Sequence, residues 1–454
     1  MLDARTLNLT LDFCLRVGEM LLSSGAGAAD VTVTMRALSR QLGAGQADID
    51  VTFTSLRMSL QPDPEEPTVI QVRQVKQRDI DYEDLTLVDH LVRDVVGGRL
   101  DLAEARATLA RIVSSGHGQP RWAVSLGYGV MCAGVGLMLG GNAWVVAIAF
   151  GAAVCIDRLQ LEMNRRRLPF FYQQVAGGAV ATMLAAAAAA AALDLDPSLV
   201  VTANIIMLLA GVGFMGALQD ALSGFYLTAG ARLTEALLAT AGIIAGVSGG
   251  LTIAEVVGIE IGRLDPGGGA TLKSVTVMAV GAAITAAAFA FASYAPWRII
   301  APIGLIGAAA IVISQYSTLL GFGRTWPTGF AAFVVGLVSY TVAGRLRVPP
   351  LVVVVSAVVP MLPGLSIYTG LSLLTAGGPQ TSQGLLAMVT AASVAISLSA
   401  GVILGEYVAQ PLKREASRLE HRLAGPRLVG PLRTRSRRTR SRRTPEAAGA
   451  SRSG

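Results

Sequence analysis

The sequence predicts a polytopic α-helical membrane protein, with about ten transmembrane helices in two five-helix inverted repeats and a small α+β cytoplasmic domain at the N-terminus. Three observations predict it. The 454 residues are 52% hydrophobic and only 15% charged, where a soluble domain carries about 25% charged residues, and mean hydropathy is +0.56. The long apolar runs all lie beyond residue 120. A proline-to-glycine apolar stretch occurs twice, at matching places in the two halves.

Residues 1–119 have the texture of a small folded domain. Leu7, Leu11, Leu15, Gly18 and Leu22 recur at helical spacing, and Ser23–Gly27 (SSGAG) stops that helix. A second helix carries Val31, Met35, Leu38 and Leu42 on one face. Residues 49–60 alternate as one strand, 62–67 (PDPEEP) form a turn and 68–78 alternate again, which predicts a hairpin. Residues 83–115 read as helix. The amphipathic opening contains Asp3, Asp12 and Glu19, unlike a signal peptide, so the N-terminus is expected in the cytoplasm.

From Trp122 onward ten apolar segments follow, near 122–139, 142–156, 170–193, 198–216, 232–252, 274–293, 298–315, 328–343, 349–374 and 384–407. A spanning helix needs about 20 residues, and the second and eighth runs are short, so nine or eleven spans stay open. The domains are therefore 1–119, a first membrane half at 120–265, a second at 266–408, and a basic, disordered tail at 409–454. The alanine run 185–192 reads as a close-packed helix face.

Ten spans place both ends on one side. Connections on that side carry Arg158, Arg165–Arg167, Arg232, Arg298, Arg345 and Arg347, whereas the other side carries Arg263, Lys273 and Arg324. By the positive-inside rule both termini are cytoplasmic. Trp122, Trp144, Trp297 and Trp326 fall near span ends, as interfacial tryptophans do.

The repeat pairs Pro197–Gly211 (PSLVVTANIIMLLAG) with Pro350–Gly364 (PLVVVVSAVVPMLPG). Pro197/Pro350, Val200/Val353, Val201/Val354, Leu209/Leu362 and Gly211/Gly364 coincide. Each stretch is the fourth span of a five-span half, and an odd number inverts one half relative to the other. Secondary transporters use paired, interrupted helices of this kind to bind cargo near the midplane. Proline removes a backbone donor and clashes with the preceding turn, and broken backbone is tolerated at membrane depth only where protein or a water-filled cavity satisfies it. Ala210, Gly211, Pro360, Pro363 and Gly364, with the nearby Asn204, are the candidate substrate-pathway residues. The competing reading is a proline kink packed against its neighbours, without cargo.

Asp220, Arg232 and Glu235 surround the connection between spans 4 and 5 and are the candidate coupling or gating residues. Charges near a bilayer pair and mark pathways, and Arg232 and Glu235, three apart, fit one helix face; a solvated loop explains them equally. Asn204, Gln173 and Gln174 are mid-span polar groups that either bond between helices or line a cavity, and Tyr340 and Thr341 are weaker candidates.

Cys14, Cys132 and Cys155 have no metal-like or disulfide-like spacing, and His90, His117 and His421 are dispersed, so no metal or cofactor is expected. Ser23, Ser24, Asp30 and His90 raise a hydrolase or sensor reading of the N-terminal domain, but the serines lack the Gly-x-Ser-x-Gly order. In residues 411–454, 13 Lys/Arg face 3 Asp/Glu, a net +10 that leaves 24 against 27, or −3, for the rest. This tail has no aromatic residues for base stacking. It reads as a partner of anionic lipid, where each basic residue is worth about 1 kcal/mol, and not of nucleic acid.

Three stretches carry a resemblance. Gly18–Gly43 (GEMLLSSGAGAADVTVTMRALSRQLG), Gln219–Leu238 (QDALSGFYLTAGARLTEALL) and Val358–Gly370 (VVPMLPGLSIYTG) resemble, in order and setting, elements of the threonine/serine exporter family. The resemblance covers about residues 10–408. It implies a ten-helix exporter of the bacterial plasma membrane with a cytoplasmic N-terminal domain. It further implies small polar metabolites as cargo, threonine and serine first, and proton motive force as the drive. Some relatives are associated with dicarboxylate export, which is the alternative substrate class. Two positions depart from the family pattern: Asp30-Val31-Thr32 stands where relatives have Arg-Val-Glu, and the first-half Pro-Gly is Ala210-Gly211. Self-association is left open.

Overall fold

The computed structural model describes residues 3–423 apart from 46, 62–64, 77–78, 192, 209, 260–271, 322, 324, 364–365, 368, 371–372 and 375–377. It describes side chains as far as residue 409, except also those of 210–211, 272–273 and 379. Arg263, Arg324, Leu209, Gly364, the side chain of Lys273, part of the 62–67 turn and most of the basic tail therefore lie outside the described residues.

The N-terminal residues fold as their periodicities require. Helix α1 (Ala4–Ser23) begins at Asp3, whose carboxylate caps the Thr6 amide, and buries Leu7, Leu11, Leu15, Gly18 and Leu22. A side chain at Gly18 would collide with Met35 Sδ, so glycine lets α2 (Ala28–Gln41) cross closely. Gly25, at φ +101°, makes the turn between them in a conformation that L side chains resist.

The predicted hairpin becomes a three-stranded antiparallel sheet in the order β1 (Asp48–Val51), β2 (Ser55–Leu60), β3 (Val69–Gln74). Residues 49–60 are not one strand. The Thr52 amide donates to the Ser55 carbonyl at 2.9 Å and the Thr52 hydroxyl bonds to the same carbonyl, folding the chain back. Hydroxyl-to-backbone bonds compete with a ladder in this way. The predicted helix 83–115 likewise divides into α3 (Tyr82–Val96) and α4 (Leu102–Ser115). Gly97 and Gly98 stop the first, and an Asp101–Glu104 capping box starts the second.

Ten further helices follow: α5 (Arg121–Met138), α6 (Ala143–Arg165), α7 (Phe170–Ala190), α8 (Pro197–Met207), α9 (Ala210–Leu222), α10 (Tyr226–Val256), α11 (Leu272–Ala292), α12 (Trp297–Leu319), α13 (Thr325–Leu346) and α14 (Pro350–Val358). The last helix among the described residues is α15 (Thr381–Leu423). Among the described residues seven helices are long and apolar enough to cross a membrane, or eight if the bent pair α8 and α9 is one span. The chain is a polytopic helical membrane protein. The short apolar runs are not short helices, since α6 has 23 residues and α13 has 22.

Glycine and alanine set the helix spacing. A methyl group at Gly281 of α11 would stand 2.7 Å from the Gly134 carbonyl of α5, and one at Gly178 of α7 would stand 2.8 Å from the Ile243 carbonyl of α10. Gly401 of α15 meets Gly329 of α13 as closely. Small residues allow such approach in a bilayer, where packing drives association. The alanine run follows suit: Ala185, Ala186 and Ala188 are buried. α8 packs on α5, α6 and α7, and α14 packs on α11, α12 and α13. Many outward residues are large and apolar, and the four tryptophans, each in the first turn of its helix, are 51–80% exposed.

The described residues up to 410 form one compact unit. Within it, the N-terminal elements join the helices at the ends where the arginine-rich connections lie. The Tyr82 amide donates to the Ser293 carbonyl at 2.9 Å, the Thr228 hydroxyl to the Val51 carbonyl at 3.1 Å, and His90 Nε2 lies 2.8 Å from the Arg347 carbonyl.

Candidate functional site

The interruption predicted between Pro197 and Gly211 is present. Pro197 occupies the first turn of α8, where its missing N–H costs nothing. α8 ends at Met207, α9 starts at Ala210 with Gly211 in its first turn, and the two axes bend by 42°. Each such end leaves up to four carbonyl or amide groups without an intrahelical partner. In the ninth segment, α14 also begins on a proline, Pro350, and ends at Val358. A 3₁₀ turn, Val359–Met361, contains Pro360, and Leu362 is extended at φ −62°, ψ 138°. Pro360 and Pro363 are buried.

A cavity of about 770 Å³ opens beside the first break. Met207 and Leu208 from the end of α8 line it, as do Val212, Gly213 and Gly216 from the start of α9. Gly213 has only backbone to present. α6 contributes Asp157, Gln160 and Asn164; α7 contributes Gln173 and Gln174; α10 contributes Arg232, Glu235 and Ala236. The N-terminal region supplies Ser23, Gly25, Gly27, Lys76, Asp79 and Asp81, and α14 supplies Leu351 and Val355. The charged lining is of mixed sign: Lys76, Arg121 and Arg232 against Asp79, Asp81, Asp157 and Glu235.

Asp220 and Arg232 sit inside helices, because only Ser223–Phe225 separate α9 from α10, with Gly224 at φ +89° turning the chain. This corrects the solvated-loop reading. The partner that the structure gives Arg232 is Asp220: Nε lies 3.1 Å from Oδ2, with side chains 14% and 2% exposed. The pair also grips the α1–α2 turn. Asp220 Oδ1 accepts the Ala28 amide at 2.9 Å, at the positive end of α2, and Arg232 Nη2 donates to the Ala26 carbonyl at 3.0 Å. The Arg232 guanidinium passes over Gly216, where a methyl group would stand 2.8 Å from Nη1.

A second buried ion pair joins Arg121 Nη2 to Asp157 Oδ1 at 2.7 Å, and the Ser125 hydroxyl donates to Asp157 Oδ2 at 2.6 Å. The histidines stay apart, yet His117 hydrogen-bonds Asp81, stacks on Tyr294 at 4.0 Å and shares with Asp81 and Asp84 a set of donor atoms within 4.8 Å. Asp81 already caps the Asp84 amide at 2.9 Å. Burial, reinforced by Asp81 and Glu83 and opposed by His117, pushes the Asp84 carboxyl up to about 6. The residues behind the hydrolase reading do not converge: the Ser23 hydroxyl donates to the Met20 carbonyl, Ser24 ends α1, and His90 meets Arg347.

Of the residues singled out in the sequence, Arg232, Glu235, Gln173 and Gln174 line the cavity, and Asp220 anchors Arg232 beside it. Asn204 is fully buried; its Nδ2 donates to the Val200 carbonyl at 2.9 Å, and Oδ1 has no partner among the described residues. Pro360 and Pro363 are not among the described lining residues. Arg121, Asp157, Gln160 and Asn164 were missed. A signal for the last three exists: positions 157, 160 and 164 share one helix face and continue the apolar run that reads as ending at 156.

Comparison with known proteins agrees with this architecture. The family model described as "Putative threonine/serine exporter" matches residues 12–254, and the one described as "Threonine/Serine exporter, ThrE" matches 278–408. The chain is similar to a protein named "Probable threonine/serine exporter" from Mycobacterium tuberculosis (strain ATCC 25618 / H37Rv), 33% identical over 424 residues, 92% of this chain and 80% of that one. It is also similar to the "Threonine/serine exporter" of Corynebacterium glutamicum, 32% identical over 411 residues, 89% and 83% of the two chains. No solved structure matches it. The family is one of transporters and not of enzymes, and with matches reaching from the first amphipathic helix to the last apolar one, this chain belongs to the threonine/serine exporter family.

Proposed function

We propose that the chain exports threonine and serine through the cavity at the α8–α9 break, driven by the proton gradient. The single observation that carries this reading is that both sides of a broken helix line one cavity of about 770 Å³ that also carries charges of both signs. A volume of that order suits a small molecule. The last carbonyls of α8 offer the negative end of a helix to an ammonium group, and the first amides of α9 offer the positive end to a carboxylate. The mixed charge of the lining favours a zwitterion over a dicarboxylate, whose two negative ends need an excess of cations. The names of the two relatives agree with this cargo.

Two inverted five-helix halves remain our reading of the architecture, with ten spans, a cytoplasmic N-terminal domain and both termini inside. It is supported by matching pairings. α5, α6, α7 and α8 pack on one another as α11, α12, α13 and α14 do, and α5 packs on α11. The breaks after Met207 and Met361 fall within one residue of each other in the Pro197/Pro350 register. Ala210 and Gly211 then flank the cargo, with Pro360, Pro363 and Gly364 the counterpart break and Asn204 a buried polar support for α8. Glu235, which faces the cavity, is the carboxylate that exchanges the proton, and the Asp220–Arg232 pair is the gate. The basic tail rests on anionic lipid.

The experiment loads proteoliposomes with labelled threonine, serine or succinate, imposes a proton gradient and follows release. Gradient-dependent efflux of threonine and serine, with succinate retained, is the expected result; efflux of succinate alone overturns the assignment.

A further inference from the structure

We infer that Gln174 reads the side-chain hydroxyl of the exported amino acid and so sets the preference for hydroxylated cargo; the inference rests on the reading of the α8–α9 cavity as the cargo site. Gln174 is 2% exposed and lines that cavity, and its Oε1 has no hydrogen-bond partner among the described residues. A buried amide oxygen left unpaired is costly, and native structures nearly always supply a partner. Two contacts fix where this one stands. Gly177, one turn further along α7, packs on the break itself, since a methyl group there would stand 2.7 Å from Leu208 Cδ2. On the neighbouring α10, a methyl group on Gly242 would lie 3.0 Å from Gln174 Cβ. Gln174 therefore leaves α7 next to α10, one turn from where α7 packs on the break, and enters the lining of the same cavity.

The chemistry divides the cargo among these groups. Helix ends carry about half a charge each and suit the ammonium and carboxylate that every amino acid shares. With both ions taken by the helix ends, the amide is left for the side-chain hydroxyl, which donates to Oε1 while the amide N–H₂ donates back. A site built around such a bond discriminates against a cargo of the same shape that lacks the hydroxyl, because the amide is then left unpaired. Valine is that cargo for threonine, and alanine is its counterpart for serine. Losing the bond costs affinity on the order of tenfold to a hundredfold.

The test measures exchange of labelled threonine in proteoliposomes of the full-length protein, competed by threonine, serine, valine or alanine. Wild type is expected to bind threonine at least about tenfold more tightly than valine. Gln174→Leu is expected to lose that ratio by weakening threonine alone, with valine unchanged; Gln174→Glu, which keeps an acceptor, should retain part of it. Gln174→Met, unbranched like glutamine, replaces Gln174→Leu if the latter lowers the melting temperature. A threonine preference that survives both apolar variants overturns the inference, as does an equal loss for threonine and valine, which marks a structural residue. In both cases wild-type exchange is intact and the transport reading stands. Absence of threonine exchange by the wild type removes that reading, and this inference with it.

Discussion

Removing Asp220 tests whether the N-terminal segment is fastened to the membrane helices by charge. Asp220 accepts the Ala28 amide at 2.9 Å and faces Arg232 at 3.1 Å, with 2% and 14% of the two side chains exposed. Asp220→Ala leaves a guanidinium that is mostly buried and retains the Ala26 carbonyl at 3.0 Å, and breaking a buried pair from one side costs about 3–5 kcal/mol. Arg232→Met leaves the carboxylate with the Ala28 amide and costs a similar amount. The double variant leaves no uncompensated charge, so its cost falls short of the sum by about 2 kcal/mol or more. The assay is denaturant titration of the purified full chain in mixed micelles for all four proteins of the cycle, alongside limited proteolysis at residues 24–27. Each single variant should be cut faster there. If the two single costs add to within about 0.5 kcal/mol, the groups are not coupled and the clasp is wrong. Asp220→Asn separates docking from proton coupling, because its side-chain oxygen keeps an acceptor for Ala28. Export that still follows the imposed gradient in that variant leaves Glu235 as the coupling group.

Two other predictions concern packing and pH. Gly401→Ala forces a methyl group against the Gly329 carbonyl and to 3.0 Å from Ala332 Cβ, which backbone cannot yield, so α13 and α15 must part; a marked fall in melting temperature is expected, of the order of overpacking costs of about 1–3 kcal/mol or more. Gly249→Ala, with open space at its Cβ, is the control and should be neutral or stabilising by up to about 1 kcal/mol of helix propensity; equal behaviour of the two discounts the close-packed glycine contact. Asp84, whose folded carboxyl sits near 6 against an ordinary 3.8, holds its proton in the native state after the unfolded chain has lost it. Its contribution to stability therefore falls as pH rises from about 4 to about 6. Asp84→Asn should melt above wild type at pH 7.5 and match it or lie below it near pH 4; a constant offset at both values refutes the assignment.

The sequence reveals helices more readily than it reveals their partners. Apolar stripes such as Leu7, Leu11 and Leu15 leave only one face to bury, and the runs beyond Trp122 leave no alternative to lipid. Turns made by ordinary residues are harder to see: Thr52 and Ser55 fold the chain back with hydroxyl bonds while keeping the alternation of a strand. The charges Asp220 and Arg232 are conspicuous, but their pairing needs the three-residue bend at Ser223–Phe225 that sets α9 against α10. Arg232 and Glu235, close in sequence, invite a local pairing, whereas the contacts to Ala26 and Ala28 cross some two hundred positions. Asp157 is hidden for a different reason. An apolar run ends where polarity begins, but a helix does not, and α6 carries Asp157, Gln160 and Asn164 to the cavity in two further turns.

The clasp and the break lie on the same short helix, and that juxtaposition bears on transport. α9 begins at the interruption and, one residue before its last two, holds Asp220. Its opening turn lines the cavity while its closing turn grips the α1–α2 segment, whose Ser23, Gly25 and Gly27 line the same space. Rotation of α9 about the 42° bend would therefore move the N-terminal segment and the cavity wall together. On the proposed transport reading, alternating access would need such a joint movement, because opening the wall on one side while the segment stays fixed would tear a buried ion pair from its partners, at about 3–5 kcal/mol. The Asp220–Arg232 variants accordingly act on more than stability. If the segment travels with α9, loosening the clasp uncouples the two, and threonine should leak down its own gradient in proteoliposomes without an imposed proton gradient. Tight vesicles from a clasp-broken but folded variant would mean that the N-terminal segment is only docked and takes no part in closing the path.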